Sequence, residues 1–458
     1  MSVTTNSPFA RDAAFHLHPQ TNLRLHEQIG PTVIRGGEGV HVVDVDGNRF
    51  IEGMSGLWCA ALGFSNRRLA DAAHRQLLAL PYQQAFAHRV AEPVIDLTEA
   101  LVERAPAGLT KVMLQSSGSE AVDTAIKLVW YYHEAIGKPE KRKIIGRARA
   151  YHGTTVASAS LTGLPNMHRG FGIPLPGFLH VSCPHHYRQA QAGESEDAFA
   201  VRLARELEET ILREGPDTVG AFFAEPVMGT GGVIVPPAGY FEKVQAVLRR
   251  HDVLMVADEV ICGFGRTGHY WGCDAFGIRP DMLTCAKGLS SAYFPISALM
   301  VSEPIYQAIA DQTDRLGGFG QGFTYGGHPV GAAVALETLR IYDEIDIVGR
   351  ARRMGALLQE GLRRYADHPL VGEVRGIGMM AALEMVADKR TRAPYPAEMK
   401  VAARVSDALR ARGVLLRALG DSLLCAPPLI IEEAELATVV DAVGEALDQV
   451  QRDLAGLQ

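Results

Sequence analysis

The chain has 458 residues, 47% of them hydrophobic, and a formal net charge of −7 at pH 7. That length and apolar content support an extensive core and favour two domains over one. Acids and bases are interspersed without a basic face or tract, which speaks against a nucleic-acid ligand and against a polybasic membrane contact.

In chain order, the opening "MSVTTNSPFARDAAFHLHP" has no basic segment followed by an apolar core, so no secretory signal is expected. Residues 36–53, "GGEGVHVVDVDGNRFIEG", read as a hairpin with Asp46-Gly47 in the turn. Apolar runs at 111–115, 143–148, 219–227, 253–260 and 282–287 are expected strands. They alternate with helical stretches such as 120–136 and 197–214, whose apolar residues recur at helical spacing. From 335 a long helix is expected. The strands "GIGMMAALEMV", "GVLLRAL" and "SLLCAPPLI" follow, and a helix over 433–452 closes the chain. Alternating strands and helices imply an α/β fold with a largely parallel sheet. The expected division is a large domain over 70–330 and a smaller α+β domain from 1–69 and 331–458. Every apolar run is too short to cross a bilayer.

Six cysteines, at 59, 183, 262, 273, 285 and 425, form no C-x-x-C pair. They read as reduced thiols of a cytoplasmic protein. "CPHHYR" brings Cys183, His185 and His186 close in sequence, but no second cluster has ligand spacing, so no metal is expected.

Several residues carry chemistry at the ends of these runs. Asp258 ends an apolar strand, where open α/β sheets place ligand-binding groups; alone it reads equally as a cap or a loop ion pair. Lys287 ends "DMLTCAK"; partial desolvation there would leave a free amine, a carbonyl nucleophile, whereas a snorkelling surface lysine is the plainer alternative. Ser117-x-x-Glu120 is a capping box, and Ser117, Gly118 and Ser119 at a helix start also suit a phosphate. Tyr151 in "AYHGTT" offers an aromatic face, Thr324 in "GFTYGGHP" a hydroxyl donor. Arg417 within "GVLLRALGD" calls for a carboxylate partner, internal or from a ligand. Each feature has a structural explanation by itself. Together they describe a planar ring with a basic nitrogen, a phosphate and an aldehyde, which is pyridoxal phosphate.

"DEVICGFGRTG" also contains G-x-G-x-x-G at Gly263, Gly265 and Gly268, with Asp281 at the distance of a ribose-binding acid. A dinucleotide site needs a helix beginning at the last glycine. Here "HYWGCDAFGIRPD" follows, which lacks helical period, so a nicotinamide- or flavin-dependent oxidoreductase is the distant alternative.

The ordered set "SSGSEA", "YHG", "EPVMGTGG", "ADEVICGFGRTG", "PDMLTCAKGLSS" and "FTYGGHP" resembles the class III aminotransferases of pyridoxal-phosphate fold type I, over about residues 30–440. "MSGLWC" and "LLRALGD" are similar to the pyruvate-dependent ω-amine transaminases within that class, of the putrescine or β-alanine type. The resemblance implies that Lys287 carries the cofactor's aldehyde and shuttles the proton, and that Asp258 keeps the ring nitrogen protonated. It further implies Val260 and Tyr151 on the two ring faces, with Ser117, Gly118, Ser119 and the neighbouring subunit's Thr324 on the phosphate. His152 belongs to the same cofactor set, and Glu225 stands behind it. Leu57, Trp58, Phe86, Tyr151 and Thr230 are implied around the substrate, and Arg417 against the keto acid's carboxylate. A homodimer or tetramer with shared sites is implied too. The expected reaction moves nitrogen from an amine to pyruvate in two steps, giving an aldehyde or ketone and then alanine. A 2-oxoglutarate-dependent ω-amino acid aminotransferase or an aminomutase is the alternative within the class. Three positions depart from the pattern: Ser116, where relatives often have Asn or Gly; Val122, often Asn; and Thr230, often Ala in the amine–pyruvate enzymes.

Overall fold

The computed structural model describes residues 7–456; the first six residues of the N-terminal stretch discussed above lie outside it. At its centre is a seven-stranded sheet. Its spatial order is Leu109–Gln115, Ser297–Ser302, Met282–Cys285, Leu254–Asp258, Val219–Ala224, Lys143–Arg147 and Phe178–Val181. Only Ser297–Ser302 runs antiparallel to its neighbours. The mostly parallel α/β architecture expected from the sequence is therefore present.

The continuous apolar strands follow from burial on both faces. Ala221, Phe223 and Val256 pack with Val122, Ile126 and Val129 of the helix Gly118–Ala135. The alternate residues Phe222, Ala224, Met255 and Ala257 face the opposite way. They join Phe199 and Leu203 of Glu196–Glu214 and Phe241 and Val244 of Tyr240–Arg250. All six residues of Val219–Ala224 are buried, and the strand stops at Ala224 rather than at 227 because Glu225 turns its carboxylate onto backbone donors.

Chain ends meet in a second sheet. Ile34–Glu38, His41–Asp44 and Arg49–Glu52 pair in sequence, and Arg49–Glu52 pairs in parallel with Val414–Leu415. The turn at Asp46-Gly47 is held by Asp44, whose carboxylate accepts the N–H groups of Asp46 and Asn48 at 3.0 and 2.8 Å. A third sheet orders Val371–Ile377, Met380–Met385, Ser422–Cys425 and Arg417–Leu419. "GVLLRAL", read as one strand, is thus two, in different sheets. Leu416 is the switch point: it is buried, and a Cβ on Gly53 would lie 2.4 Å from its side chain. Phe178–Val181 and Ser297–Ser302 add to the expected strands, and "GIGMMAALEMV" holds the turn of a hairpin whose first strand, Val371–Ile377, lies mostly ahead of it. No helix among the described residues is long and apolar enough to cross a membrane.

Candidate active site

Sheet direction brings the carboxyl ends of Leu109–Gln115, Lys143–Arg147, Val219–Ala224, Leu254–Asp258 and Met282–Cys285 to one edge, where α/β sheets bind ligands. A cavity of about 140 Å³ opens there, lined by residues that follow those ends, among them Gly118, Ser119, Tyr151, His152, Asp258 and Lys287. Glu225 and Val260 line it as well.

Asp258 is buried, and an unpaired carboxylate there would be costly. Its Oδ2 lies 2.7 Å from Nδ1 of buried His152. Its Oδ1 accepts the Val260 N–H at 3.1 Å and the Thr284 hydroxyl at 3.3 Å. His152 keeps Nε2 buried without a partner. Lys287 starts a short 3-10 turn at φ +48, a conformation that non-glycine residues rarely hold outside functional sites. Burial pushes its amine below the usual lysine range, and Asp258 opposes that shift. Glu225 is buried and pushed up by burial; its two oxygens accept the N–H groups of Tyr151 at 3.1 Å and Gly229 at 2.9 Å. One carboxylate thereby ties two cavity loops together.

Ser117 is the N-cap of Gly118–Ala135, accepting the Glu120 N–H at 3.2 Å. The expected capping box is offset: Glu120 reaches back to the N–H of Ser116, at 2.7 Å, not to that of Ser117. The helix has 18 residues, and a helix start of this kind suits an anion. A Cβ on Gly118 would press both Val260 methyls at 3.2 Å, so only glycine leaves that space free.

These residues fit pyridoxal phosphate. Asp258 is an anion suited to a protonated ring nitrogen, and Lys287 an amine with lowered basicity. Tyr151 supplies a face, the helix start an anion cradle, and the orphaned Nε2 of His152 an unused polar contact at the cavity wall.

Leu57, Trp58, Thr230 and Arg417 do not line this cavity itself. Trp58 is 2% exposed, packed with Met54, Val227, Ile261 and Cys262, while its neighbour Leu57 is 53% exposed. Thr230 is half-buried in the turn between the bridged residues Met228 and Ile234. Arg417 is half-buried, and burial pushes its guanidinium down while the Tyr151 hydroxyl opposes this. Among the described residues no carboxylate lies within ion-pair distance of it. Within a single chain Thr324 and Phe86 are not at the cavity: both are exposed, and Phe86 lines a separate apolar groove.

The glycine-rich stretch is a loop. The helix after it begins only at Gly272, and its first N–H groups, of Gly272 and Cys273, already donate to Glu259 at 2.9 and 2.6 Å. Asp281 accepts the Met255 N–H at 2.7 Å. Neither feature faces a dinucleotide. Cys183, His185 and His186 do not converge either: His185 pairs with Glu373 at 2.8 Å, whereas His186 meets the Glu194 carbonyl at 2.8 Å. Sequence reasoning missed Thr284, Gly153 and buried Arg147, which donates to the Glu225 carbonyl at 2.5 Å. Polar residues inside apolar runs were the available signal.

Residues 25–447 match the family model described as Aminotransferase class-III. The chain belongs to the class III aminotransferases. It is a pyridoxal-phosphate-dependent transferase, as that class is. The aminotransferase is 46% identical over 431 residues to gamma-aminobutyrate transaminase 1 of Solanum lycopersicum, covering 94% of this chain and 84% of that protein. It is 46% identical over 429 residues to vanillin aminotransferase of Capsicum frutescens, covering 93% and 94%. Among solved structures, the omega transaminase from Pseudomonas jessenii in complex with PMP matches with a TM-score of 0.96 at 52% identity, over 97% of this chain and 98% of that one. A thermostable omega transaminase variant, W58M/F86L/R417L, engineered for synthesis of enantiopure bulky amines, matches with a TM-score of 0.96 at 51% identity, over 97% and 99%.

Proposed function

We propose that this aminotransferase moves the amino group of a primary amine or ω-amino compound to pyruvate, releasing an aldehyde or ketone and then alanine. The observation that carries the reading is Arg417, a half-buried guanidinium with no carboxylate within ion-pair distance among the described residues, in the neighbourhood of cavity-lining Tyr151. Such a group suits the carboxylate of a small keto acid. It turns aside for an uncharged amine. The substituted residue types and numbers in the engineered bulky-amine variant are those of Trp58, Phe86 and Arg417 here, which supports placing these three around the substrate.

Bound pyridoxal phosphate supplies the carbonyl that accepts the amine and a ring that takes up electrons when the donor C–H bond breaks. Lys287 would bind the cofactor's carbonyl between turnovers and would move the proton at the donor carbon with its amine. Asp258, fixed by His152 and Thr284, would hold the ring nitrogen's proton. Tyr151, its loop fixed by Glu225, and Val260 would orient the ring. The N–H groups at Gly118 and Ser119, with Ser117, would bind the phosphate.

We take the active unit to be at least a homodimer. Tyr82, Phe86, Phe319 and Tyr325 are 39%, 41%, 39% and 62% exposed. Phe86 and Phe319 line an apolar groove of about 500 Å³. A second copy covering that surface would bring its Thr324 and Phe86 to the Lys287 cavity. We place the enzyme in the cytoplasm on its six unbridged thiols, and assign 70–330 to a large domain with 1–69 and 331–458 forming a smaller one.

The decisive experiment measures initial rates with a panel of amines against pyruvate and against 2-oxoglutarate. Parallel double-reciprocal lines with pyruvate preferred are expected. Preference for 2-oxoglutarate would overturn the acceptor; intersecting lines would overturn the two-step exchange. Borohydride reduction should leave the pyridoxyl label on Lys287, and a label elsewhere would refute the nucleophile.

A further inference from the structure

Far along the chain from the catalytic cavity residues, three imidazoles converge on one carboxylate. Asp12 lies in the helix Pro8–Phe15, His16 caps its end, His18 follows in the loop, and His26 lies in the helix Leu23–Ile29. Nε2 of His18 and Nε2 of His26 meet the same Oδ2 of Asp12 at 2.7 and 2.8 Å, and Nδ1 of His16 meets Oδ1 at 3.2 Å. The rings lie close but tilted: His16 to His18 at 45° and His18 to His26 at 42°, with centroids 4.0 Å apart in both pairs. Among the described residues these histidines have no other side-chain hydrogen bond.

Four side chains able to ligate a metal, from two helices and the loop between them, thus meet at one point with Asp12 at its centre. A divalent cation there would be met by three neutral imidazoles and one carboxylate. The contributing atoms of Asp12, His16 and His18 all lie within 4.8 Å of one another. His26 joins them through its 2.8 Å contact with Asp12. Tetrahedral zinc at about 2.0–2.1 Å from its ligands separates them by roughly 3.3 Å, so the 2.7 and 2.8 Å contacts to Asp12 would open while the wider separations between imidazoles close. Side-chain exposure is 20% at Asp12, 22% at His18 and 10% at His26 but 56% at His16, so the site opens to solvent on the His16 side.

We propose that Asp12, His16, His18 and His26 form a structural site for a borderline divalent metal ion, of which zinc is the best fit. Imidazole and carboxylate donors select that class over calcium or magnesium, which take oxygen ligands. Four protein ligands close the coordination sphere, which marks a structural site rather than a catalytic one. The ion fastens the two N-terminal helices to each other. The spacing D-x3-H-x-H-x7-H escaped the sequence reading because its last ligand comes from the next helix.

Among the described residues one other cluster of this kind occurs, and arginines occupy it. His185, Glu373 and Glu384 also cluster, but Arg375 bonds both carboxylates and Arg188 bonds Glu384.

The test uses tag-free, cofactor-loaded enzyme stripped with chelator and then titrated with zinc chloride or cobalt chloride. One zinc per chain is expected, and cobalt should give the intense visible absorption of a tetrahedral site. His18→Ala and His26→Ala should each weaken zinc binding at least about tenfold, whereas exposed His74→Ala should not. Equal zinc affinity in His18→Ala and the unaltered chain would overturn the proposal. Should those variants fail to fold, the cobalt spectrum of the unaltered enzyme decides: no tetrahedral band means no site.

Discussion

Gly153 offers the sharpest test of how the cavity is built. It has φ +136, and a Cβ there would lie 2.5 Å from Ser158 Oγ, 2.6 Å from Ser119 Oγ and 2.9 Å from Ser119 Cα. Neither hydroxyl can simply swing away. Ser158 Oγ bonds the Thr155 hydroxyl at 2.6 Å, and Ser119 Oγ accepts the Thr154 N–H at 3.1 Å. Gly153→Ala must therefore displace the first turn of Gly118–Ala135, whose free N–H groups we assign to the phosphate. The backbone conformation, in a region held almost only by glycine, costs about 1–3 kcal/mol and the overpacking roughly 1–3 kcal/mol. If about half of that falls on the helix start, affinity for pyridoxal phosphate drops about tenfold or more. Gly137→Ala is the control: its φ is +78, but nothing lies within 4 Å of the added carbon. Equilibrium dialysis against the cofactor, with urea unfolding in parallel, separates the two. Gly137→Ala should lose stability while keeping cofactor affinity, and Gly153→Ala should lose both. Equal cofactor affinity in the two variants would refute the steric argument.

Lys287→Ala should fold, because it removes a desolvated amine from a strained position, yet show no transamination; measurable turnover beside an unchanged urea midpoint would contradict its role. Trp58 and Trp271 should differ when changed to glycine, although both are buried. Trp58 sits at φ +66 with an orphaned indole N–H, whereas Trp271 has φ −115 and donates to the Arg104 carbonyl at 2.5 Å. Losing a buried tryptophan costs about 3–5 kcal/mol, but relief of the left-handed backbone returns about 1–2 kcal/mol at Trp58 alone. Urea midpoints should rank Trp58→Gly as the milder change, and the reverse order would be inconsistent with that strain. Burial holds Glu259 at about 7, above its usual 4.5. The folded chain keeps a proton there that the unfolded chain has released, so this contribution is full below pH 4.5 and is lost as the pH rises through 7. Glu259→Gln should flatten the decline in unfolding free energy over that window by up to roughly 3 kcal/mol, leaving the contribution of Glu52, which burial also lifts to about 7. Identical pH profiles for the variant and the unaltered enzyme would contradict the shift.

Much of this architecture can be read from local patterns. "VGAFFA" and "VLMVAD" show no polar alternation because both faces of those strands are covered, and that signal survives in one dimension. Asp258 and Lys287 stand out for the same reason, as charged residues ending apolar runs. "SALMVS" and "FLHV" were not read as strands, since short segments of mixed polarity carry little period. The loop after Asp258 is legible too, because "HYWGCDAFGIRPD" lacks helical period; that Glu259 fills the later helix start at Gly272 is not.

By itself the sequence determined the alternation that builds a mostly parallel sheet and the order of motifs that marks a class III aminotransferase. It also determined which side chains stand at strand ends. Only the tertiary structure decided that those ends share one edge, so that His152 reaches Asp258 across 106 positions of chain. It split "GVLLRAL" between two sheets and left Thr324 and Phe86 outside the Lys287 cavity of a single chain. It also gathered Asp12, His16, His18 and His26, because side chains meet through packing and strand pairing, and proximity in sequence carries no such information.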